Sequence, residues 1–148
     1  MQASDRPLNE ILFFQLDQCL RQAVRYTHRV FQEKEVNLTK DQWLVLKSVN
    51  DEVKTGISLV ELCRRLDKEP ASMTRMLDIL EKKALLIRQP NPSDRRSSIL
   101  YPTREGKLLF QELLPVVKSI RAQSMHGFSK EEVEQFRSYL SRMTQNMS

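Results

Sequence analysis

Ser58-Leu59-Val60-Glu61-Leu62-Cys63-Arg64-Arg65-Leu66, then Asp67-Lys68-Glu69, then Pro70-Ala71-Ser72-Met73-Thr74-Arg75-Met76-Leu77-Asp78-Ile79-Leu80 is the stretch whose reading decides the fold. Ser58 followed three residues later by Glu61 has the form of a capping box, in which a hydroxyl and a carboxylate satisfy the first free N–H groups of a helix. The short helix that it opens buries Leu59, Leu62 and Leu66. Asp67-Lys68-Glu69 is a polar turn, and Pro70 suits the first turn of a second helix because its missing N–H is unpaired there anyway. That helix is expected from about Ala71 to Ala84, with Met73, Leu77 and Leu80 turned inward. Two short helices joined by so tight a turn form a helix-turn-helix, whose second helix can lie in a DNA major groove.

Downstream, Leu85-Leu86-Ile87-Arg88 and Ser97-Ser98-Ile99-Leu100 read as two short strands. Gln89-Pro90-Asn91-Pro92-Ser93-Asp94-Arg95-Arg96 lies between them, so a hairpin with a long polar tip is expected. Two prolines stiffen the tip and Arg95 and Arg96 charge it, which makes it a basic wing. Upstream, Thr39-Lys40-Asp41-Gln42 is another capping box, and Trp43, Leu44, Leu46 and Val49 supply the buried face of its helix. Thr55-Gly56-Ile57 is a turn that can lead into a short strand.

The flanks are helical and more apolar than this lobe requires. From Leu8 to Lys34, Leu12, Leu16, Cys19, Ala23, Tyr26 and Val30 alternate at four-and-three spacing, the stripe of one long helix. Thr103 can cap a helix to about Met125 with Leu109, Leu113, Val116, Val117 and Ile120 on one side, ended by Gly127. Ser129-Lys130-Glu131-Glu132 is a third capping box. The last helix carries Val133, Phe136, Leu140, Met143 and Met147 at coiled-coil-like spacing. The first helix and the last two are expected to form a dimer interface.

Composition agrees with a single ordinary domain with helical extensions: 148 residues, 40% hydrophobic and 29% charged. Two unclustered cysteines, Cys19 and Cys63, make no disulfide framework and point to a reducing, cytoplasmic setting. The segment Met1 to Asp17 has no leader pattern, and charges interrupt every apolar run, so neither secretion nor a membrane is expected. Residues 58 to 107 hold eleven Lys and Arg against seven Asp and Glu, a net +4 of the whole chain's +5. An anionic partner for the middle third follows. His28 and His126 have no zinc-ligand spacing with the cysteines, so neither a metal nor a cofactor is implied.

With those segments in place, the chain resembles the multiple antibiotic resistance regulator (MarR) family of winged-helix transcription factors over nearly its whole length. Leu38-Thr39, Gln42-Trp43 and Val45-Leu46 look like the family's second helix. Ser58 with Glu61-Leu62 looks like the start of the third. Ser72, Thr74-Arg75 and Leu80-Glu81-Lys82-Lys83 look like its recognition helix, and Asp94-Arg95-Arg96, Thr103 and Gly106 like its wing and the restart beyond it. The resemblance implies a mainly α fold: a winged helix-turn-helix with a small β-hairpin wing and N- and C-terminal dimerisation helices. It places a DNA-binding lobe at 38–102 and dimerisation helices at 5–35 and 103–148. It further implies a homodimer on double-stranded DNA with a roughly palindromic operator, most often repressing, and released by a small aromatic or phenolic effector. Ala84 stands where the family usually has Gly, and Pro102 where it has an apolar residue. Cys19 lies about a helical turn beyond the cysteine of the family's peroxide sensors, which argues against oxidant sensing.

Candidate roles follow. Ser72, Thr74 and Arg75 would present hydroxyls and a guanidinium to bases and phosphates; an ordinary solvated helix face is the alternative. Arg95 and Arg96 would reach the minor groove, whose negative potential attracts guanidinium. Arg88 joins Arg64, Arg65, Lys68 and Lys82 as a candidate phosphate neighbour. Asp94, which repels phosphate, would shape the wing by pairing with an Arg. Phe14, Tyr26, Trp43 and Met73 are core residues first, and by resemblance candidates to line an effector pocket. No Gly-rich phosphate loop, nucleophile elbow or clustered His and carboxylates argues for an enzyme. A winged-helix module that binds proteins alone remains the rival reading.

Overall fold

Capping chemistry sets most helix starts. In the computed structural model, which describes residues 6–148, Thr39 Oγ1 accepts the Gln42 N–H at 3.1 Å and Gln42 Oε1 accepts the Thr39 N–H at 3.1 Å. This full box opens α2 (Lys40–Asp51). Ser129 and Glu132 form the second full box, at the start of α6 (Lys130–Asn146). The box expected at Ser58 is only half made. Ser58 Oγ accepts the Glu61 N–H at 3.2 Å and starts α3 (Leu59–Leu66), but the Glu61 carboxylate takes the Arg64 guanidinium at 2.7 and 2.9 Å instead. A charge-assisted, two-armed partner one turn away outweighs an uncharged N–H.

Asp67 closes α3 in the left-handed region at φ 48°, a conformation that Asp tolerates better than most side chains. Pro70 is the first residue of α4 (Pro70–Lys82), so the helix-turn-helix reading holds, with α4 ending two residues before Ala84. The first helix is shorter than expected. Leu8–Glu10 is a 3-10 turn, Ile11 is extended at ψ 115°, and α1 runs Leu12–Glu33. An extended residue at 11 breaks the helical ladder there. Residues 1–5, including the expected boundary at residue 5 and part of the N-terminal reading, lie outside the described residues.

A three-stranded antiparallel sheet in the order β1-β3-β2 joins β1 (Ile57–Ser58), β2 (Leu86–Asn91) and β3 (Asp94–Pro102). Here the long polar tip is corrected. The strands extend to Asn91 and Asp94, so only Pro92-Ser93 turns, and both arginines belong to β3. The register jumps from Pro90↔Ser98 to Asn91↔Asp94, which leaves residues 95–97 out of the strand pairing. A bulge of this kind re-aims side chains out of the ladder. Pro102 still pairs with Leu86 as the last residue of β3, where a lost donor costs least.

The core fills the lobe and extends beyond it to Phe31, Leu113 and Val117. Val45, Leu46, Val49, Leu62, Met73, Leu80 and Leu86 are fully buried, and Trp43 stacks on Phe110 of α5 (Arg104–Ser124) at 5.4 Å between ring centroids. A tight joint fastens α5 to the end of α4. Ala84 sits at φ 56°, the conformation for which Gly is ordinarily used. The Thr103 hydroxyl donates to Ala84 O at 2.5 Å and the Thr103 N–H to Leu85 O at 3.2 Å. Gly106 then passes so close that a Cβ would stand 1.9 Å from Leu85 O. Farther on, Pro115 lies inside α5. The terminal helices are different: α6 buries no residue and α1 only Phe31, while Leu12, Phe13, Leu20, Phe136, Tyr139 and Leu140 are exposed. Among the described residues, no helix is long and apolar enough to cross a membrane.

Candidate nucleic-acid interface

The face that carries the candidate residues is a groove of about 620 Å³ between α4, the start of α3 and the wing. Ser58, Thr74, Asp78, Arg88, Asp94 and Arg96 line it over a floor of Leu77 and Leu100. The inward Met73, Leu77 and Leu80 orient α4, and that leaves Ser72, Thr74 and Arg75 exposed on its N-terminal half. Thr74 Oγ1 donates to Pro70 O at 2.8 Å. Its lone pairs stay open to a donor outside. Arg96 lines the groove, and Arg95 and Arg75 flank it on exposed positions.

Ion pairing divides the basic residues of this region. Arg64 is held by Glu61, Arg65 by Glu52 and Glu61, and Lys68 by Asp41 at 2.8 Å. These contacts perturb the groups in the expected directions: Lys68 beside Asp41 holds that carboxyl below its ordinary value, Arg64 beside Glu61 does the same there, and both arginines are pushed up. Lys68 and Arg65 therefore tie α3 to the two ends of α2. Arg64, 73% exposed, keeps a surface pair that a phosphate can exchange, since such pairs contribute little. Among the described residues, Arg75, Lys82, Arg95 and Arg96 have no ion pair. Lys83, Arg104 and Lys107 have none either, so α4 and the wing carry four of the seven basic residues in 58–107 that lack an ion pair.

Arg88 does not belong to that open set. It is bonded to Asp78 at 2.7 Å and also to Glu81, and its side chain is only 27% exposed. Asp94 is corrected in its partner: its Oδ1 accepts the main-chain N–H of Arg96 at 2.9 Å, not a guanidinium. An exposed bulge with unpaired N–H groups favours this local turn over a long-range pair. Asn91 and Ser97 brace the same tip, with Asn91 Nδ2 donating to Ser97 Oγ at 2.9 Å and Asn91 Oδ1 accepting the Ser93 N–H at 2.9 Å. Sequence reading missed Asp78, Glu81 and Asn91. Their signal lies in the strand register, which one chain does not display.

The four effector-pocket candidates do not come together. Trp43 and Met73 are sealed in the lobe core, Phe14 lies beside Gln18, Arg21 and Arg25 on α1, and Tyr26 carries Arg29 above its ring at 5.2 Å. Trp43 and Met73 thus have the core role expected of them first. Burial pushes the Cys63 thiol up, with Glu69 adding to it, so the unreactive protonated form prevails there. Cys19 is exposed on α1.

Helix, turn, helix and a two-stranded wing, with an open basic face along the second helix and the wing, define a winged helix-turn-helix of the kind found in transcriptional regulators. Residues 38–98 match the sequence model of the MarR family. Over those residues the chain is therefore similar to the MarR family, and along nearly its whole length it carries the same fold as the regulators that follow. A cysteine-to-serine mutant of MarR from E. coli, complexed with operator DNA, is 25% identical, with 94% of this chain and 99% of that chain covered and a TM-score of 0.76. The S. aureus MepR–DNA complex is 17% identical, with coverage of 93% and 97% and a TM-score of 0.83. Bordetella bronchiseptica BpsR, whose structure concerns regulation of DNA binding by 6-hydroxynicotinic acid, is 21% identical, with coverage of 95% and 98% and a TM-score of 0.85.

Proposed function

We propose that this chain is a homodimeric, sequence-specific DNA-binding repressor that works in the cytoplasm and responds to a small aromatic or phenolic effector. The observation that carries the DNA reading is the division of charge: internal pairs engage the α3 arginines and Lys68, while Arg75, Arg95 and Arg96 stand unpaired around one groove. In this reading α4 enters the major groove, where Arg75 contacts a guanine or phosphate and Ser72 and Thr74 meet bases or backbone. Arg95 and Arg96, re-aimed by the bulge, reach the flanking minor groove. Asp94 holds the bulge in shape from within.

The lobe at 38–102 does the reading, and the helices at 5–35 and 103–148 hold two copies together. The exposed apolar faces of α1 and α6 support that assembly, and two copies would address half-sites about 34 Å apart. The operator complex of the E. coli MarR mutant and the effector named for BpsR support the DNA and ligand parts by likeness of fold. An effector would weaken binding by as much as it prefers the non-binding arrangement.

The test is DNA binding against salt concentration, on DNA upstream of the chain's own gene and on a scrambled control, with Arg96→Ala beside the parent chain. Selective binding with a steep negative salt slope, shallower by about one unit per lost phosphate contact in the variant, is the expected result. Weak binding, equal on both DNAs and indifferent to Arg96→Ala, would turn the reading toward a protein partner.

A further inference from the structure

Arg88 sits at the base of the wing, in the middle of the β2–β3 ladder opposite Leu100. One arm of its guanidinium reaches Asp78 and the other Glu81, two carboxylates three residues apart on α4. Residues so spaced share a face of a helix, so a single planar fork bridges the wing to one face of the helix beside it. A strand and a helix share no hydrogen-bond ladder, and their relative angle is left to side chains. With one cation between two anions, the cluster carries a net negative charge. A phosphate approaching it would meet repulsion, and Arg88 would first have to leave two partners that it already holds.

We propose that Arg88, Asp78 and Glu81 are a positioning clamp that fixes the wing, and with it Arg96, against the recognition helix, rather than part of the DNA contact. The proposal rests on the DNA-binding reading and deepens it. Thr74 and Arg96 stand on opposite walls of the groove that also contains Asp78 and Arg88. The length of the clamp therefore sets the spacing between a major-groove reader and a minor-groove reader. Two carboxylates on a DNA-facing surface, otherwise a liability for affinity, become the means by which an arginine elsewhere is aimed.

Electrostatics and positioning make opposite forecasts for one variant. Asp78→Asn with Glu81→Gln removes two negative charges beside the DNA, so charge alone tightens binding to every sequence. The clamp requires the reverse. The probe is a duplex selected from a randomised pool by the full-length parent chain, with a scrambled duplex as control. For the neutralised variant, affinity for the selected duplex is expected to fall about tenfold while affinity for the scrambled one does not fall, so that selectivity drops. Arg96→Ala is expected to cost about tenfold in the parent chain and less than about twofold in the neutralised background, because coupled residues are non-additive. A variant that binds the selected duplex as well as or better than the parent, or in which Arg96→Ala costs the same, overturns the clamp alone. If the pool yields no selected duplex for the parent chain, the DNA reading beneath the proposal is overturned instead. Melting curves check folding, and Arg88→Lys is the second variant: it keeps the charge but not the two-armed geometry, and the same loss of selectivity is expected. Full selectivity in Arg88→Lys overturns the clamp.

Discussion

The winged lobe and the terminal helices use apolar residues in opposite ways. Between Leu38 and Leu100 the large side chains close on one another, and Leu46, Leu62, Met73, Leu80 and Leu86 leave almost nothing exposed. Along α6 the periodicity is just as regular, yet Phe136 stays 44% and Tyr139 46% exposed and no residue is buried. Both segments are amphipathic by sequence. The difference is whether the stripe finds its complement within the same chain. A regular stripe therefore reports that a face will be buried and is silent about what covers it.

Four changes test that contrast, beginning with the largest effect. Leu80→Ala should destabilise the lobe by about 3 kcal/mol, as large-to-small changes in sealed cores do, read from urea denaturation. A loss below about 1 kcal/mol would mean that the core collapses around the cavity. Phe136→Glu should leave the urea transition of the lobe in place but weaken self-association by about 2 kcal/mol, about thirtyfold, seen by sedimentation across a dilution series. An unchanged dissociation midpoint would place the dimer contact elsewhere and break the contrast.

Smaller effects sharpen it. Ala84→Gly should stabilise the chain by about 0.5–1 kcal/mol, since relief of a left-handed Ala exceeds the added freedom of the unfolded glycine. A neutral or destabilising result would show the strain relieved by the Thr103 hydrogen bond. The smallest effect concerns Asp41. Because Lys68 lowers its pKa in the folded lobe, its contribution is present above the unfolded value and is lost as pH falls through the folded one. Acid titration of stability below about pH 4 should be shallower in Asp41→Asn than in the parent chain. Identical acid limbs would assign the sensitivity to other carboxylates.

Local chemistry was legible where one short segment contains both partners. Thr39 with Gln42 and Ser129 with Glu132 needed only four residues each, and Pro70 marked its helix start by itself. Glu61 was misread for the same reason: within those four residues nothing reveals that Arg64 will compete. The wing failed at a longer range. An eight-residue polar run reads as a loop, while the pairing Asn91↔Asp94 and the bulge at 95–97 depend on a register fixed by Leu86, Leu100 and Pro102. The bridge from Arg88 to Asp78 and Glu81 is hidden still deeper, since it exists only after β2 has been laid beside α4. Ala84 is the instructive exception. It stands where the resembled family usually has Gly, and the backbone there is indeed left-handed.

That junction also gives α5 the character of a lever. At its start, Gly106 against Leu85 O and the two bonds from Thr103 leave no room to slide or roll. At Pro115 the helix lacks an amide donor and its hydrogen-bond ladder is interrupted. Stiffness at the grip and compliance partway along the shaft mean that a push on the far end of α5 is taken up by bending at the proline, while the joint at Ala84 and Leu85 stays where it is.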